Sequence, residues 1–280
     1  MPEDFSDAAL VIAAHGSTVN EDSAAPARQH AAELRRRKIF ACVEPAYWKE
    51  EPFIDVVVNS MSARRVFIVP LLISEGYFSE EAIPLKLGIR KEGQADFDRI
   101  QTCGSQIRYY CRPIGTHESM TGVLLARAKT IVEQFPFPRA PKAADTSLFI
   151  AGHGTTANDN SRKAIEHQVE LIRTKNIYGD VHAVFIEEPP LIADCYKLAT
   201  KKNIVVVPFF ISDGMHTIED IPVMLGEAKR TVQERLQAGQ PAWRNPMEKS
   251  GKRVWYTRAI GTEPHIADVI LERVIEMSKP

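Results

Sequence analysis

At 280 residues, with a hydrophobic share of 44%, a charged share of 25% and a formal net charge of −1, the chain is long enough for two domains with separate cores. The near-neutral balance excludes the global positive field that holds a nucleic acid or an anionic membrane surface, and no apolar run approaches the roughly 20 residues of a membrane span. Cys42, Cys103, Cys111 and Cys195 form no C-x-x-C pair, which argues for reduced thiols over a zinc knuckle or an iron–sulfur motif.

The N-terminal stretch has early acids and no basic region, so no signal peptide is expected and the expected location is cytoplasmic. A first apolar run ends at Ile12-Ala13-Ala14 and leads into His15-Gly16-Ser17-Thr18. Lys49 and Glu50 follow further on, then Val69-Pro70-Leu71-Leu72-Ile73-Ser74-Glu75-Gly76, Phe78, Ile83-Pro84 and Ile114-Gly115-Thr116. Phe135-Pro136-Phe137-Pro138-Arg139-Ala140-Pro141 reads as an extended, semi-stiff connector.

After it the chain repeats itself at an offset of about 138 residues. Ile150-Ala151-Gly152-His153-Gly154-Thr155-Thr156 answers the first motif, and Glu187 and Glu188 answer Lys49 and Glu50. Val207-Pro208-Phe209-Phe210-Ile211-Ser212-Asp213-Gly214 answers the third, with His216 facing Phe78 and Ile221-Pro222 facing Ile83-Pro84. The offset grows to about 146 where Ile260-Gly261-Thr262 meets Ile114-Gly115-Thr116, through an insertion near 240–251.

Short β-rich apolar runs alternate with helix-compatible stretches, with second-copy strands expected near 147–151, 181–186, 203–210 and 253–259. Runs such as Ile204-Val205-Val206-Val207 are continuous, as in strands covered on both faces. The expected fold is two tandem Rossmann-like parallel-sheet α/β domains related by internal duplication. The expected division is a repeat over 1–135, a Pro-rich linker over 136–146 and a second repeat over 147–280. Gly76 and Gly214 are expected to supply positive φ, and Pro84 and Pro222 to fix φ.

Ligands of such sheets bind beyond the carboxyl ends of the strands. His153 follows the first strand of copy two, Glu187 and Glu188 follow the second, and His216 lies in the loop after the third. Neighbouring strands are about 4.8 Å apart, so these side chains can meet at one ion-sized point. Two imidazoles and a carboxylate suit a first-row divalent ion and can also act as bases. Glu187 is preferred to Glu188 as the acid, because its counterpart Lys49 is changed whereas Glu188 pairs with the retained Glu50. Taken singly, each residue has a bland reading as a loop hydrogen-bonder or a helix-start acid. In the first copy, Lys49 and Phe78 replace two of the three ligands, leaving His15.

His-Gly-Thr after strand one and Val-Pro-Phe-Phe-Ile-Ser-Asp-Gly-Met-His-x3-Asp-Ile-Pro after strand three resemble the class II chelatases, which include sirohydrochlorin cobaltochelatases and ferrochelatases. The likeness covers nearly the whole chain. It implies a chelatase-like fold whose halves enclose a macrocycle cleft, with His153 and His216 as metal-binding and catalytic residues and Glu187 as their acidic partner. The reaction implied is insertion of Co2+ or Fe2+, with Ni2+ or Zn2+ as further fits, into an anionic tetrapyrrole such as sirohydrochlorin, in cobalamin, siroheme or heme biosynthesis. Gly154, Thr155, Gly214, His15, Phe78 and Thr262 are the substrate-binding candidates. Helix starts near Ser161 and Thr262 and the cations Arg162 and Lys163 are candidates for the ring carboxylates.

No redox cofactor, nucleic acid or membrane is expected as a partner, and either a monomer or a homodimer is compatible. The rival readings are a non-catalytic metal or tetrapyrrole carrier and a hydrolase or phosphoryl-transfer enzyme. Against the second, no G-x-S-x-G, G-x-x-x-x-G-K-S/T or G-x-G-x-x-G motif occurs.

Overall fold

A computed structural model describes residues 4–94, 96–154 and 159–279. They divide into two compact units, 1–120 with 264–280 and 121–263.

The first unit holds a five-stranded sheet of β1 (Ala8–Ala14), β2 (Cys42–Tyr47), β3 (Arg65–Pro70), β4 (Ile100–Cys103) and β5 (Gln106–Tyr110), in the order β2-β1-β3-β5-β4. The second holds β6 (Thr146–Gly152), β7 (Asp180–Phe185), β8 (Asn203–Pro208), β9 (Met247–Lys249) and β10 (Lys252–Tyr256), in the order β7-β6-β8-β10-β9. Four strands of each sheet are parallel. The fifth, β4 or β9, pairs antiparallel with its successor as an edge hairpin.

That hairpin adds one antiparallel edge strand to each of the expected parallel sheets. In the second unit it occupies the stretch read as an insertion near 240–251. Its strand is three residues long with no buried position, so it carries too weak a pattern to read as a strand.

The central strands are sealed on both faces. Every residue of β1 and β6 is buried, and Ile204 through Val207 have no solvent exposure. One face of the second sheet packs Phe149, Ala151, Val184, Ile204, Val206 and Trp243 into a single core, which is the burial that continuous apolar strands require.

The compact units do not follow the division expected at 136–146. The helix Met120–Gln134 ends the first repeat yet lies, from Thr121 onward, in the second unit, and the helix Ile266–Ser278 ends the second repeat yet lies in the first unit. Each brings an arginine to the turn after its new sheet's last parallel strand. Arg273 donates to the Pro113 carbonyl at 2.8 Å and to Thr116 Oγ1 at 2.7 Å. Arg127 donates to Thr262 Oγ1 at 3.1 Å and lies 3.6 Å from Glu263. The 136–146 stretch falls inside the second unit, where Trp255 Nε1 donates to the Phe135 carbonyl just before it at 2.8 Å. Among the described residues, no helix is long and apolar enough to cross a membrane.

Candidate metal centre

β7, β6 and β8 are adjacent and parallel, so the loops leaving their carboxyl ends gather at one edge of the second sheet. Cross-strand backbone bonds fix those loops. Glu187 N–H donates to the His153 carbonyl at 3.1 Å, and Phe209 N–H to the Ala151 carbonyl at 2.7 Å.

Gly154 turns the chain after His153 with φ +66°, where a Cβ would lie 2.6 Å from Glu188 Cγ. Gly16 repeats this geometry at φ +69° against Glu50. Positive φ and close approach therefore fall on the glycines beside the histidines. Gly76, by contrast, is extended at φ −151°, and Gly214 is not among the positive-φ residues, which corrects the role expected for that pair. Gly214 N–H instead donates to Thr217 Oγ1 at 3.0 Å, bracing the turn that begins at His216. Pro222 sits in the first turn of the short helix Ile221–Met224, as its fixed φ favours.

His216 opens a π-helical turn, His216–Asp220, a local distortion frequent at functional positions. Its ring lies 4.7 Å from that of His153, centroid to centroid, at 83°. His216 Nδ1 bonds Asp220 Oδ2 at 2.7 Å, and His153 Nδ1 bonds the Gly154 carbonyl at 2.6 Å. A carbonyl and a carboxylate accept, so each Nδ1 carries a proton, and Nε2 is the ring nitrogen left to ligate a metal.

Glu187 Oε2 lies 3.8 Å from His153 Nδ1, with its side chain 52% exposed. Glu188 is committed elsewhere, its Oε2 accepting from Arg162 at 3.0 Å. Among the described residues, no three His, Cys, Asp or Glu side chains are already gathered at metal-binding distance. The structure has two imidazoles at contact and one mobile-length carboxylate beside them, turned toward the nitrogen that Gly154 already engages.

The first unit repeats this arrangement with other residues. His15 Nδ1 bonds the Gly16 carbonyl at 2.8 Å, and its ring meets Phe78 at 4.5 Å and 88°. Trp48 and Tyr77 flank Phe78 at 6.4 and 5.3 Å. Partial burial holds the His15 pKa below its ordinary 6.5; the Gly16 carbonyl opposes this and the Lys49 charge reinforces it. His15 and Phe78 thus form the same ring pair without a second ligand.

Of the remaining candidates, Thr155 lies outside the described residues. Thr262 is held by Arg127 in a short 3-10 turn, Ile260–Thr262, and the following helix starts only at Ile266. Ser161 stands in the first turn of the helix Asn160–Thr174. Arg162 is bound to Glu188, Glu166 and the Pro189 carbonyl, and Lys163 lies 3.8 Å from Asp159.

Sequence reading gave no role to Asp220, although its place four residues after His216 puts it one helical turn away. It also missed Tyr256, whose buried hydroxyl donates to the Thr217 carbonyl at 2.7 Å and whose pKa burial raises far above the ordinary value. Tyr110 makes the same bond to Ser79 in the first unit. Matching tyrosines about 146 residues apart were the available signal.

The CbiX family model matches the chain twice, over residues 9–131 and 147–277. A Halobacterium salinarum protein named as a probable sirohydrochlorin cobaltochelatase is 38% identical over 97% of this chain and 92% of its own length. A Methanopyrus kandleri sirohydrochlorin cobaltochelatase is 27% identical, covering 46% of this chain and 95% of itself.

Among solved structures, a multi-domain Deinococcus radiodurans protein described as structurally similar to chelatases aligns over 98% of this chain with a TM-score of 0.78 and 23% identity. This chain spans 56% of that larger protein. SirB from Bacillus subtilis with Fe3+ aligns over 97% of this chain and 95% of itself, with a TM-score of 0.68 and 17% identity. The chain belongs to the CbiX family.

Proposed function

We infer that this protein is a metal chelatase that inserts Co2+ or Fe2+ into sirohydrochlorin or a similar anionic tetrapyrrole. The observation that carries this reading is the pair of imidazoles at 4.7 Å, each with Nδ1 occupied and Nε2 left to bind. An ion in transit needs such a partial shell. A closed thiolate cage would retain it, whereas two nitrogens and one reachable carboxylate hold it and still leave coordination positions for the incoming ring.

The metal is a substrate. It arrives hydrated, exchanges water for His153 and His216 Nε2, and passes to the four pyrrole nitrogens. Two N–H protons leave the ring in exchange for the two positive charges, so the insertion is balanced without any electron transfer. Glu187, exposed and 3.8 Å from His153, is the group we assign to accept a proton or to complete the metal's shell. Asp220 holds His216 in the tautomer that can ligate.

Metal-free sirohydrochlorin mixed with Co2+ and followed by absorbance tests this reading. The wild-type protein should accelerate insertion over the spontaneous reaction, and His216→Ala should abolish the acceleration while folding normally. Binding of ring and metal with no acceleration would make the protein a carrier. Undiminished insertion by the variant would remove His216 from the reaction.

A further inference from the structure

Arg258 lies just beyond β10, at the same carboxyl edge of the second sheet that carries His153, Glu187 and His216. Its Nε donates to Asp213 Oδ2 at 2.8 Å, and Asp213 sits in the loop that carries His216. Asp213 Oδ1 also accepts the Ala259 N–H at 2.9 Å and the Thr217 hydroxyl at 3.4 Å. The acid side chain is only 10% exposed, the arginine 70%. Asp213 is thus the buried anchor of the pair, and the guanidinium is its solvent-facing end.

A guanidinium carries five N–H donors in a planar fork, and Asp213 engages the one at Nε. The exposed amino groups match a carboxylate's two oxygens, and the anchoring bond reduces the side-chain freedom lost when they meet one. If the arginine served only to neutralise Asp213, it would gain nothing from standing in water, where an ion pair contributes little.

The internal repeat separates this pair from the metal ligands. In the first unit Lys49 and Phe78 stand in place of Glu187 and His216, yet Arg112 remains exposed beside Glu75, at 3.6 Å. An exposed arginine kept on an acid where the metal ligands are gone answers to something other than the metal. On a tetrapyrrole the complementary feature is the ring of peripheral carboxylates.

We propose that Arg258 is a substrate-recognition residue that binds a peripheral carboxylate of the anionic tetrapyrrole while His153 and His216 address its centre. The assignment rests on the chelatase reading, and it gives the site a reason to prefer polycarboxylate macrocycles over apolar ones.

The full-length wild type, R258Q and R258K are compared in two measurements that need no turnover. These are binding of metal-free sirohydrochlorin, read by its fluorescence, and binding of Co2+ alone. R258Q should weaken sirohydrochlorin binding about tenfold or more and flatten its salt dependence, with Co2+ affinity within about twofold of wild type. R258K, which keeps the charge but loses the fork, should fall between them. Equal sirohydrochlorin affinity in all three overturns the proposal. So does a parallel loss of Co2+ affinity, because Arg258 would then act only by supporting the His216 loop. A wild type that binds sirohydrochlorin but never accelerates insertion defeats the chelatase reading and leaves the Arg258 comparison intact.

Discussion

Replacing His216 with phenylalanine would give the second unit the ring pair of the first, and the two ring pairs show what that should cost. The His15–Phe78 pair stands at 4.5 Å and 88°, the His153–His216 pair at 4.7 Å and 83°, so a phenyl ring fits the place without repacking. The bond given up, to Asp220, joins side chains that are 46% and 42% exposed, and water can replace it. Folding stability should therefore change by no more than about 0.5–1 kcal/mol, a shift in Tm of only a few degrees. Metal binding should respond far more. Loss of an outer hydrogen-bond partner to a ligand costs about 10–100-fold in affinity, and loss of the ligand itself should exceed the upper figure. The assay is Co2+ titration by visible absorbance, paired with thermal denaturation. The reciprocal variant, K49E with F78H, should raise the first unit's Co2+ affinity by giving His15 a second imidazole and a carboxylate as partners. Co2+ affinity in H216F within tenfold of wild type, or no gain in the reciprocal variant, would refute the equivalence of the two sites.

Further changes probe what holds that geometry. Asp220→Asn keeps the shape but weakens the hold on the His216 tautomer, and should lower Co2+ affinity about 10–100-fold with Tm unchanged. A Cβ on Gly261 would sit 1.6 Å from the Ile211 carbonyl oxygen, whereas one on Gly88 meets nothing within 4 Å and strains only φ at +69°. Denaturant unfolding should thus show G261A losing about 3 kcal/mol or more and G88A about 1–2 kcal/mol. Arg127→Met removes the cation 3.6 Å from Glu263, 8% exposed, and should destabilise by up to about 3 kcal/mol; a double-mutant cycle with Glu263→Leu should show the two changes coupled rather than additive. His15 has a folded pKa below 6.5, so the unfolded chain binds the extra proton first. Its contribution is complete above pH 6.5 and is lost as pH falls through the folded pKa, and H15Q should flatten the stability profile in that window.

The duplication explains which parts of this molecule could be read from sequence. Two copies under one offset expose every local feature twice, so the His-Gly turn, the third-strand loop and the substitution of Phe78 for His216 are all legible as text. In the structure the His15–Phe78 and His153–His216 rings stand at similar centroid distances and angles. Sequence alone favours Glu187 over Glu188 only through its changed counterpart Lys49; in the structure Glu187 lies beside His153, and Glu188 pairs with Arg162. What stayed hidden is long-range. Asp213 collects donors from Arg258 and Ala259, 45 and 46 residues later, and no local pattern announces such a partner.

The exchange of terminal helices was hidden for a different reason. Either copy's last helix presents a similar apolar stripe, Met120, Val123, Leu124 and Ala128 in one and Ile266, Val269, Ile270 and Val274 in the other. Periodicity certifies that each helix will be buried, and is silent on which sheet will bury it. The arginines carry the finer information. Arg273 reaches the Pro113 carbonyl and Thr116, and Arg127 reaches Thr262 and Glu263, so each helix secures the turn that closes the opposite repeat. In the second unit that turn contains Gly261, pressed against Ile211 at the base of the loop that carries His216. The placement of His216 in the second repeat thereby depends on a helix that sequence order assigns to the first. A chain cut at 136–146 would separate the two, because each repeat's last helix lies in the other repeat's compact unit.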